Sequence, residues 1–265
     1  MSPTAHRIVF RLCAPLHSGW RKLGNLQQTR PYVTGRMLWG ALTARLVRDA
    51  NNGANYGEVG QNIDEGFPAF SYFYPSVNPK KVELWPWDDP ELFSWLFLGS
   101  YASTALRDGH SAEEGMLHET EYIAPRTRDD RPVYLIGYLL EPSGKFQSEW
   151  HQALSRLQLG GERGYGWGRL AVECGPEKNK KLFGYHMDAN RVIVPKGQPL
   201  LAHTKADGLS CTGTIEPLVG RVTDTASGSF GKNPSEAVIC WVPGSKANQE
   251  IKFRIGPKGI WEKVS

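Results

Sequence analysis

Cysteine is scarce in this chain and widely scattered. Cys13, Cys174, Cys211 and Cys240 are the four in 265 residues, and no two form a CxxC pair. That spacing excludes a zinc knuckle and a disulfide-stapled scaffold, and it suits a reducing compartment. Long apolar runs are missing as well. The most apolar stretch, Leu92 to Leu106, is broken by Ser94, Gly99, Ser100 and Ser103, short of the ~20 apolar residues that a spanning helix needs. No secretory signal pattern, fixed-period repeat or low-complexity tract stands out. The expectation is a soluble, cytoplasmic protein with no membrane partner, no metal and no cofactor.

Acidic residues are nearly absent from the first fifth of the chain. Residues 1–50 hold eight Arg or Lys (Arg7, Arg11, Arg21, Lys22, Arg30, Arg36, Arg45, Arg48) against one acid, Asp49. Residues 51–125 reverse this, with three basic residues against twelve acids. The net charge is only +4, so the distribution carries the signal. It implies one face for an anionic polymer and an acidic face for a protein neighbour or solvent. A hydrophobic content of 40% is enough for a substantial core.

Periodicity gives the coarse order of elements. Arg7 to Cys13 alternates apolar and charged residues, which predicts a half-buried strand. His17 to Arg30 reads as a polar loop. Thr34 then reads as a cap before a helix to Arg48, with Leu38, Ala41, Leu42 and Leu46 on one face. Phe67 to Tyr74 is strand material. Asp89-Pro90-Glu91 is a helix start, and that helix stops near Gly99, with a second short helix running to Arg107. Glu121 to Ala124 and Val133 to Leu139 predict a hairpin whose tip is Arg126 to Arg131. Trp150, Ala153, Leu154 and Leu157 sit at i, i+3, i+4 and i+7, an amphipathic helix. A strand, Arg169 to Glu173, follows it. The order β-α-β-β-α-β predicts an α+β, ferredoxin-like or RRM-like domain with insertions over residues 1–175. Residues 176–190, rich in lysine and glycine, read as a linker. A small β-rich domain then fills 176–265, with strands at Arg191–Val194, Cys211–Glu216, Ala237–Val242 and Ile251–Ile255.

Between the last helix and strand of the first domain lies Gly160-Gly161-Glu162-Arg163-Gly164-Tyr165-Gly166-Trp167-Gly168-Arg169. Five of the nine residues from Gly160 to Gly168 are glycine. Glycines let backbone approach a ligand closely, and successive amides make concave anion sites. Arg163 and Arg169 add bidentate phosphate contacts, and Tyr165 and Trp167 offer faces for bases. A dinucleotide fingerprint follows a strand and opens a helix; here the order is reversed. A plain helix-to-strand connection explains Gly160 and Gly161, but not the interleaved Gly164, Gly166 and Gly168.

This loop resembles the signature loop of the RAMP superfamily, the RNA-binding subunits of CRISPR effector complexes. His17-Ser18-Gly19, followed by Arg30-Pro31-Tyr32-Val33-Thr34-Gly35-Arg36-Met37-Leu38-Trp39-Gly40-Ala41-Leu42, is similar to the strand–loop–helix opening of that family. Thr34, Arg36 and Trp39 replace its usual proline, serine and lysine. Glu216 to Arg221 and Trp241 to Ser245 are compatible with the smaller subunits of type III effectors. The resemblance implies a non-catalytic subunit in antiviral defence, most like the one that caps the 5′ handle of the guide RNA. Its partners are then the CRISPR guide RNA, the large signalling subunit and the backbone RAMP subunits. RNA contact falls on the glycine loop (Gly160, Gly161, Arg163, Gly164, Tyr165, Gly166, Trp167, Gly168, Arg169) and on His17, Arg30, Thr34, Gly35, Arg36 and Arg126.

Two enzyme readings stand beside it. In one, His17 is the general base of a metal-independent CRISPR RNA processing endoribonuclease, since imidazole titrates near neutrality; Arg30, Tyr32 and Arg36 are its candidate helpers. In the other, an aspartate (Asp64, Asp88 or Asp89) and a divalent metal cleave target RNA in a backbone subunit. The plainer readings are a capping histidine, a helix-capping Asp89, a solvated tip for Arg126, Arg128 and Arg131, solubilising Lys178, Lys180 and Lys181, and core or interface for Trp85, Trp87 and Trp95.

Overall fold

The computed structural model describes residues 4–50, 56–60, 69–106, 111–141, 148–188, 191–224, 229–256 and 258–264. Its centre is an antiparallel sheet built on β1 (Thr4–Leu12) and β8 (Tyr134–Glu141). Successive side chains on a strand point to opposite faces, and here both faces are covered. Ile8, Phe10 and Leu12 of β1 join Leu135 and Leu139 of β8 in one buried cluster. Ala5 of β1 joins Tyr138 and Leu140 of β8 in another. Two-sided burial is why Val133 to Leu140 is almost continuously apolar. The strand β9 (Leu170–Asn179) pairs with the far side of β1. The short strands β4 (Ala69–Phe70) and β5 (Tyr74–Ser76) pair with the far side of β8. The order is β4-β8-β1-β9.

Two helices cover the first face. The helix α1 (Gly35–Ala50) starts after Thr34, whose carbonyl accepts the Met37 N–H at 3.0 Å, and it buries Leu38 and Leu42. The helix α3 (Ser148–Leu154) supplies Ala153 and Leu154, with Leu157 just beyond its end. Between them in sequence, α2 (Pro90–Phe97) begins as its residues predict. The Asp89 carboxylate accepts the Leu92 N–H, and Pro90 occupies the first turn, where its missing N–H costs nothing.

Three sequence expectations are corrected here. The segment 17–30 is not a loop: β2 (Gly19–Leu23) and β3 (Leu26–Thr29) form a hairpin. Nor does a second helix follow α2, because residues 98–103 are the strand β6 (Leu98–Ser103); Arg107 lies outside the described residues. The proposed 121–139 hairpin does not form either. The strand β7 (His118–Ile123) pairs with β3 and β6, giving a separate sheet β2-β3-β7-β6, while β8 enters the central sheet. The Arg126–Arg131 segment is a tight turn between them, closed by the Thr127 N–H to Arg131 O bond. The physical reason is competition for partners: alternation fixes which face of β7 is buried, not which strand it pairs with.

The remainder is strand-rich, as expected, but strands begin earlier than the linker reading placed them. Residues 177–179 still pair with β1, and β10 (Lys181–Leu182) and β11 (Tyr185–Asp188) follow at once. With β12 (Arg191–Val194), β13 (Thr204–Lys205), β15 (Ile215–Leu218), β18 (Val238–Trp241), β20 (Ile251–Ile255) and β21 (Trp261–Lys263) they make an eight-stranded sheet, order β10-β11-β12-β20-β21-β13-β18-β15. Two separate pairs flank it: β14 (Cys211–Thr212) with β19 (Lys246–Ala247), and β16 (Arg221–Asp224) with β17 (Ser229–Pro234). Val192, Val194, Leu200, Leu201, Phe253, Ile255 and Trp261 pack against Tyr72, Tyr74, Tyr138 and Leu140. The second face of the central sheet is therefore the floor of the C-terminal core.

Tyr74 is fully buried in that seam, and its hydroxyl donates to Leu201 O at 2.7 Å. Replacing it with Ala is expected to cost roughly 3–5 kcal/mol, as for other large-to-small changes at buried aromatics. Urea unfolding followed by tryptophan fluorescence and by far-ultraviolet circular dichroism should show both signals moving together. Two separated transitions would show that the seam does not join the two layers.

Candidate nucleic-acid interface

The glycine loop folds back on the segment that follows β1. The Gly161 N–H donates to His17 O (3.1 Å), the Gly168 N–H to Pro15 O (2.7 Å), and the Leu159 N–H to Gly168 O (2.9 Å). Two positions demand glycine. Gly160 has φ +79° and a Cβ there would stand 2.3 Å from His17 O; Gly168 has φ +74° and its Cβ would stand 1.8 Å from Leu159 O. Further along, Arg163–Tyr165 forms a single helical turn. The amides of Gly161, Tyr165, Gly166, Trp167 and Gly168 are all engaged within the chain. Trp167 docks edge-on against Tyr122, with ring centroids 5.2 Å apart. Much of the loop is thus a latch, and it presents Arg163, Tyr165 and Arg169 to solvent.

Beside the latch opens a cleft of about 1050 Å³, at the top of the ~300–1,000 Å³ range of small-molecule pockets. Its wall takes His17, Ser18 and Trp20 from the start of the β2–β3 hairpin, and Thr34, Arg36, Met37, Ala41, Ala44, Val47 and Arg48 from α1 and its cap. Gly160, Gly161 and Arg163 come from the glycine loop, and Leu218, Val219, Gly220, Arg221, Val238, Lys258 and Ile260 from the C-terminal strands and the turns between them. Among the described residues that line it, six are Arg or Lys (Arg30, Arg36, Arg48, Arg163, Arg221, Lys258) and none is Asp or Glu. Such a groove holds a positive potential that its low-dielectric walls focus.

Seven of the residues singled out from sequence meet here: His17, Arg30, Thr34, Arg36, Gly160, Gly161 and Arg163. Gly35 is buried just beneath. Gly164, Tyr165, Gly166, Trp167, Gly168 and Arg169 do not line the cleft, and neither does Arg126, which pairs with Asp130 on the turn. Arg131 pairs likewise with Asp129, and Arg128 donates to Trp95 O. Asp89 caps α2, Asp88 accepts the Trp85 N–H, and Asp64 lies outside the described residues. Trp85 and Trp87 stack on each other against Tyr74. Among the described residues no three His, Cys, Asp or Glu side chains are grouped to hold a metal, and no helix is long and apolar enough to cross a membrane.

Sequence reasoning missed the polar network under the cleft. Arg30 reaches across to Glu216 of β15, Nη1 to Oε1 at 2.6 Å. His203 Nε2 lies 2.7 Å from the same oxygen, and its Nδ1 lies 2.7 Å from the Tyr72 hydroxyl. A carboxylate only accepts, so Nε2 carries the proton and Nδ1 accepts from Tyr72. The indole N–H of Trp20 donates to the other oxygen, Oε2, at 3.1 Å. Burial alone would raise the Glu216 pKa; the His203 bond and the Arg30 charge outweigh it and hold the carboxyl down at about 2. Burial lowers the pKa of His203, with Glu216 opposing, so the imidazole is neutral. Burial also pushes the Tyr32 phenol well up. His17 Nδ1 lies 2.7 Å from Glu121 O. A carbonyl accepts, so the lone pair of His17 is on Nε2.

The fold is similar to that of chains in two cryo-EM structures. One is the Type III-B Cmr-beta complex bound to cognate target RNA and AMPPnP: TM-score 0.52 and 12% identity, over 91% of this chain and 85% of that one. The other is Type III-B Cmr-beta bound to cognate target RNA, with TM-score 0.50 and 12% identity over 91% and 86%. No protein-family profile and no curated protein matches the sequence. Identity this low makes it a likeness of fold.

The network sets a pH dependence. His203 binds its proton more weakly folded than unfolded, so stability falls as pH drops below the ordinary histidine range. Glu216, depressed to about 2, adds a second loss between roughly pH 5 and 2. Thermal melting across this range should fall in both windows. Glu216→Gln should shrink the lower one and leave the share of Asp49 and Glu262, whose ion pairs also hold their carboxyls down; a melting temperature flat from neutrality to pH 3 would contradict the assignment.

Proposed function

We propose that this chain is a non-catalytic RNA-binding subunit of a type III CRISPR effector complex. The observation that carries the reading is the cleft whose described lining has six basic residues and no Asp or Glu, built where the glycine loop, the start of α1 and the segment after β1 converge. Two features support placement in the RAMP superfamily. The order β4-β8-β1-β9, with α1 and α3 on one face, fits a ferredoxin-like domain. The fold is also similar to chains of Type III-B Cmr-beta complexes bound to target RNA. We divide the chain at residue 175 into this domain and a β-rich C-terminal unit that share one core. The subunit caps the 5′ handle of the guide RNA in the cytoplasm, and its acidic middle segment faces the large signalling subunit or a backbone subunit.

Phosphates are held by side chains more than by the loop's amides, most of which are spent on the latch. Binding should therefore be steeply salt-dependent, since each phosphate contact releases counterions, with a slope of about −0.7 per contact on single strands. Fluorescence anisotropy with a labelled repeat-derived single strand of about 12 nucleotides measures it. Arg163→Ala should weaken binding several-fold and make the salt slope about one contact shallower. Arg254→Ala, an exposed arginine paired with Glu262 away from the cleft, should change neither. Identical curves for Arg163→Ala and the unmodified chain would sink the cleft reading.

One observation favours the processing endoribonuclease: His17 lines the cleft with its Nε2 lone pair available to a 2′-hydroxyl. Its candidate helpers are committed elsewhere, Arg30 to Glu216, Tyr32 to the core and Arg36 to Arg221 O. Repeat RNA incubated with the protein in EDTA should stay intact. A discrete cut abolished by His17→Ala would establish the nuclease instead.

A further inference from the structure

The setting of Trp20 is unusual. It lies on the edge strand β2, whose five residues are all exposed, and it keeps 40% of its own surface in solvent. The indole is fixed from several sides while that surface stays open. Its N–H donates to Glu216 Oε2 from across the chain. The guanidinium of Arg21 lies 4.0 Å from its ring centroid, and that of Arg30 lies 5.8 Å away. Arg21 is held in turn: its Nε donates to Gln28 Oε1 on β3 at 2.7 Å. Trp20 lines the cleft.

Indole rings and arginine planes are the groups on which unpaired RNA bases stack. Here one of each is stacked at the rim of a cationic cleft, and both are anchored by hydrogen bonds before any ligand arrives. Ordering beforehand removes the cost of immobilising the side chains on binding. The cleft wall alongside is apolar, with Met37, Ala41, Val219 and Val238 among its residues, so it suits a base turned inward with its phosphates outward on the arginines.

We infer that Trp20, with Arg21 beside it, is a stacking platform for one unpaired base of a single-stranded RNA, and that Glu216 is its positioning residue. The inference rests on the RNA-binding reading and adds to it a ligand state and a contact. The ligand is a strand with at least one base free of pairing, because a base held in a duplex has no exposed face to offer. The contact is sequence-tolerant, since every base has a π-face. Glu216 serves two purposes through its two oxygens: Oε1 ties the C-terminal strand to Arg30 and His203, and Oε2 aims the indole.

The test is a double-mutant cycle between protein and RNA. The probe is a labelled single-stranded RNA of about 12 nucleotides, alongside a series in which each base in turn is removed to leave an abasic sugar. For the unmodified chain, one abasic position should lose roughly 5- to 100-fold in affinity. Trp20→Ala should lose a similar factor with the intact RNA, and nothing further at that one position. Its salt slope should be unchanged, because no phosphate contact is removed. Trp20→Leu, which keeps apolar bulk without a ring, should behave like Trp20→Ala, and Trp20→Phe should fall between. Additive losses at every position, or Trp20→Leu binding like the original, would overturn the platform while leaving the arginine-dependent binding in place. Salt-dependent binding absent from the unmodified chain would instead overturn the RNA-binding reading itself.

Discussion

The carboxylate of Glu216 is the point on which the site depends. One oxygen receives Arg30 and His203, and the other receives Trp20. Arg30 precedes α1, Trp20 belongs to the β2–β3 hairpin, Glu216 belongs to β15, and His203 immediately precedes β13. A single half-buried acid therefore draws three parts of the chain to one place. A buried guanidinium is costly unless paired, so the pair Arg30–Glu216 is strongly constrained: removing either leaves the other uncompensated. That acid does not line the cleft and its charge is spent on Arg30, so among the described lining residues the charged side chains are all cations.

The same arrangement divides labour along the glycine loop. Its backbone closes the loop onto Pro15 and His17, and its tip holds Arg163 and Tyr165 outward. Glycine at positions 160 and 168 answers to steric contact with the chain's own carbonyls. Such a latch ties the loop that carries Arg163 to the segment after β1, and Arg36 lines the same cleft. Rigid spacing of cations is what a polymer with regularly spaced phosphates requires.

Local signals in the sequence were legible, and signals that depend on partners were not. Asp89-Pro90 marked the start of α2 because a cap is a three-residue event. The stripe Leu38, Leu42 marked α1, and the alternation of residues 7–12 marked β1, because each is set by one buried face. The alternation of residues 121–123 is the same whichever strand lies beside them, so the pairing of β7 with β6 (antiparallel) and β3 (parallel) was hidden. Residues 176–190 read as a linker because edge strands keep Glu177, Lys178 and Lys181 in water. At the site, the glycine loop and the residues around Thr34 were visible as motifs. The Arg30–Glu216 pair, 186 residues apart, leaves no local trace, and Trp20, Tyr72 and His203 gain their meaning only from it.

The central claim is that one cleft, walled by both halves of the chain, holds single-stranded RNA. Ultraviolet crosslinking of 4-thiouridine-substituted RNA to the intact protein, with the adducts mapped by mass spectrometry, tests it most directly. The account predicts adducts from both halves at once: in the segment from His17 to Trp20, along α1 near Arg36, and at residues 218–221. Adducts confined to the Arg126–Arg131 turn or to the outer strands of the C-terminal sheet, with none in these three segments, would contradict it.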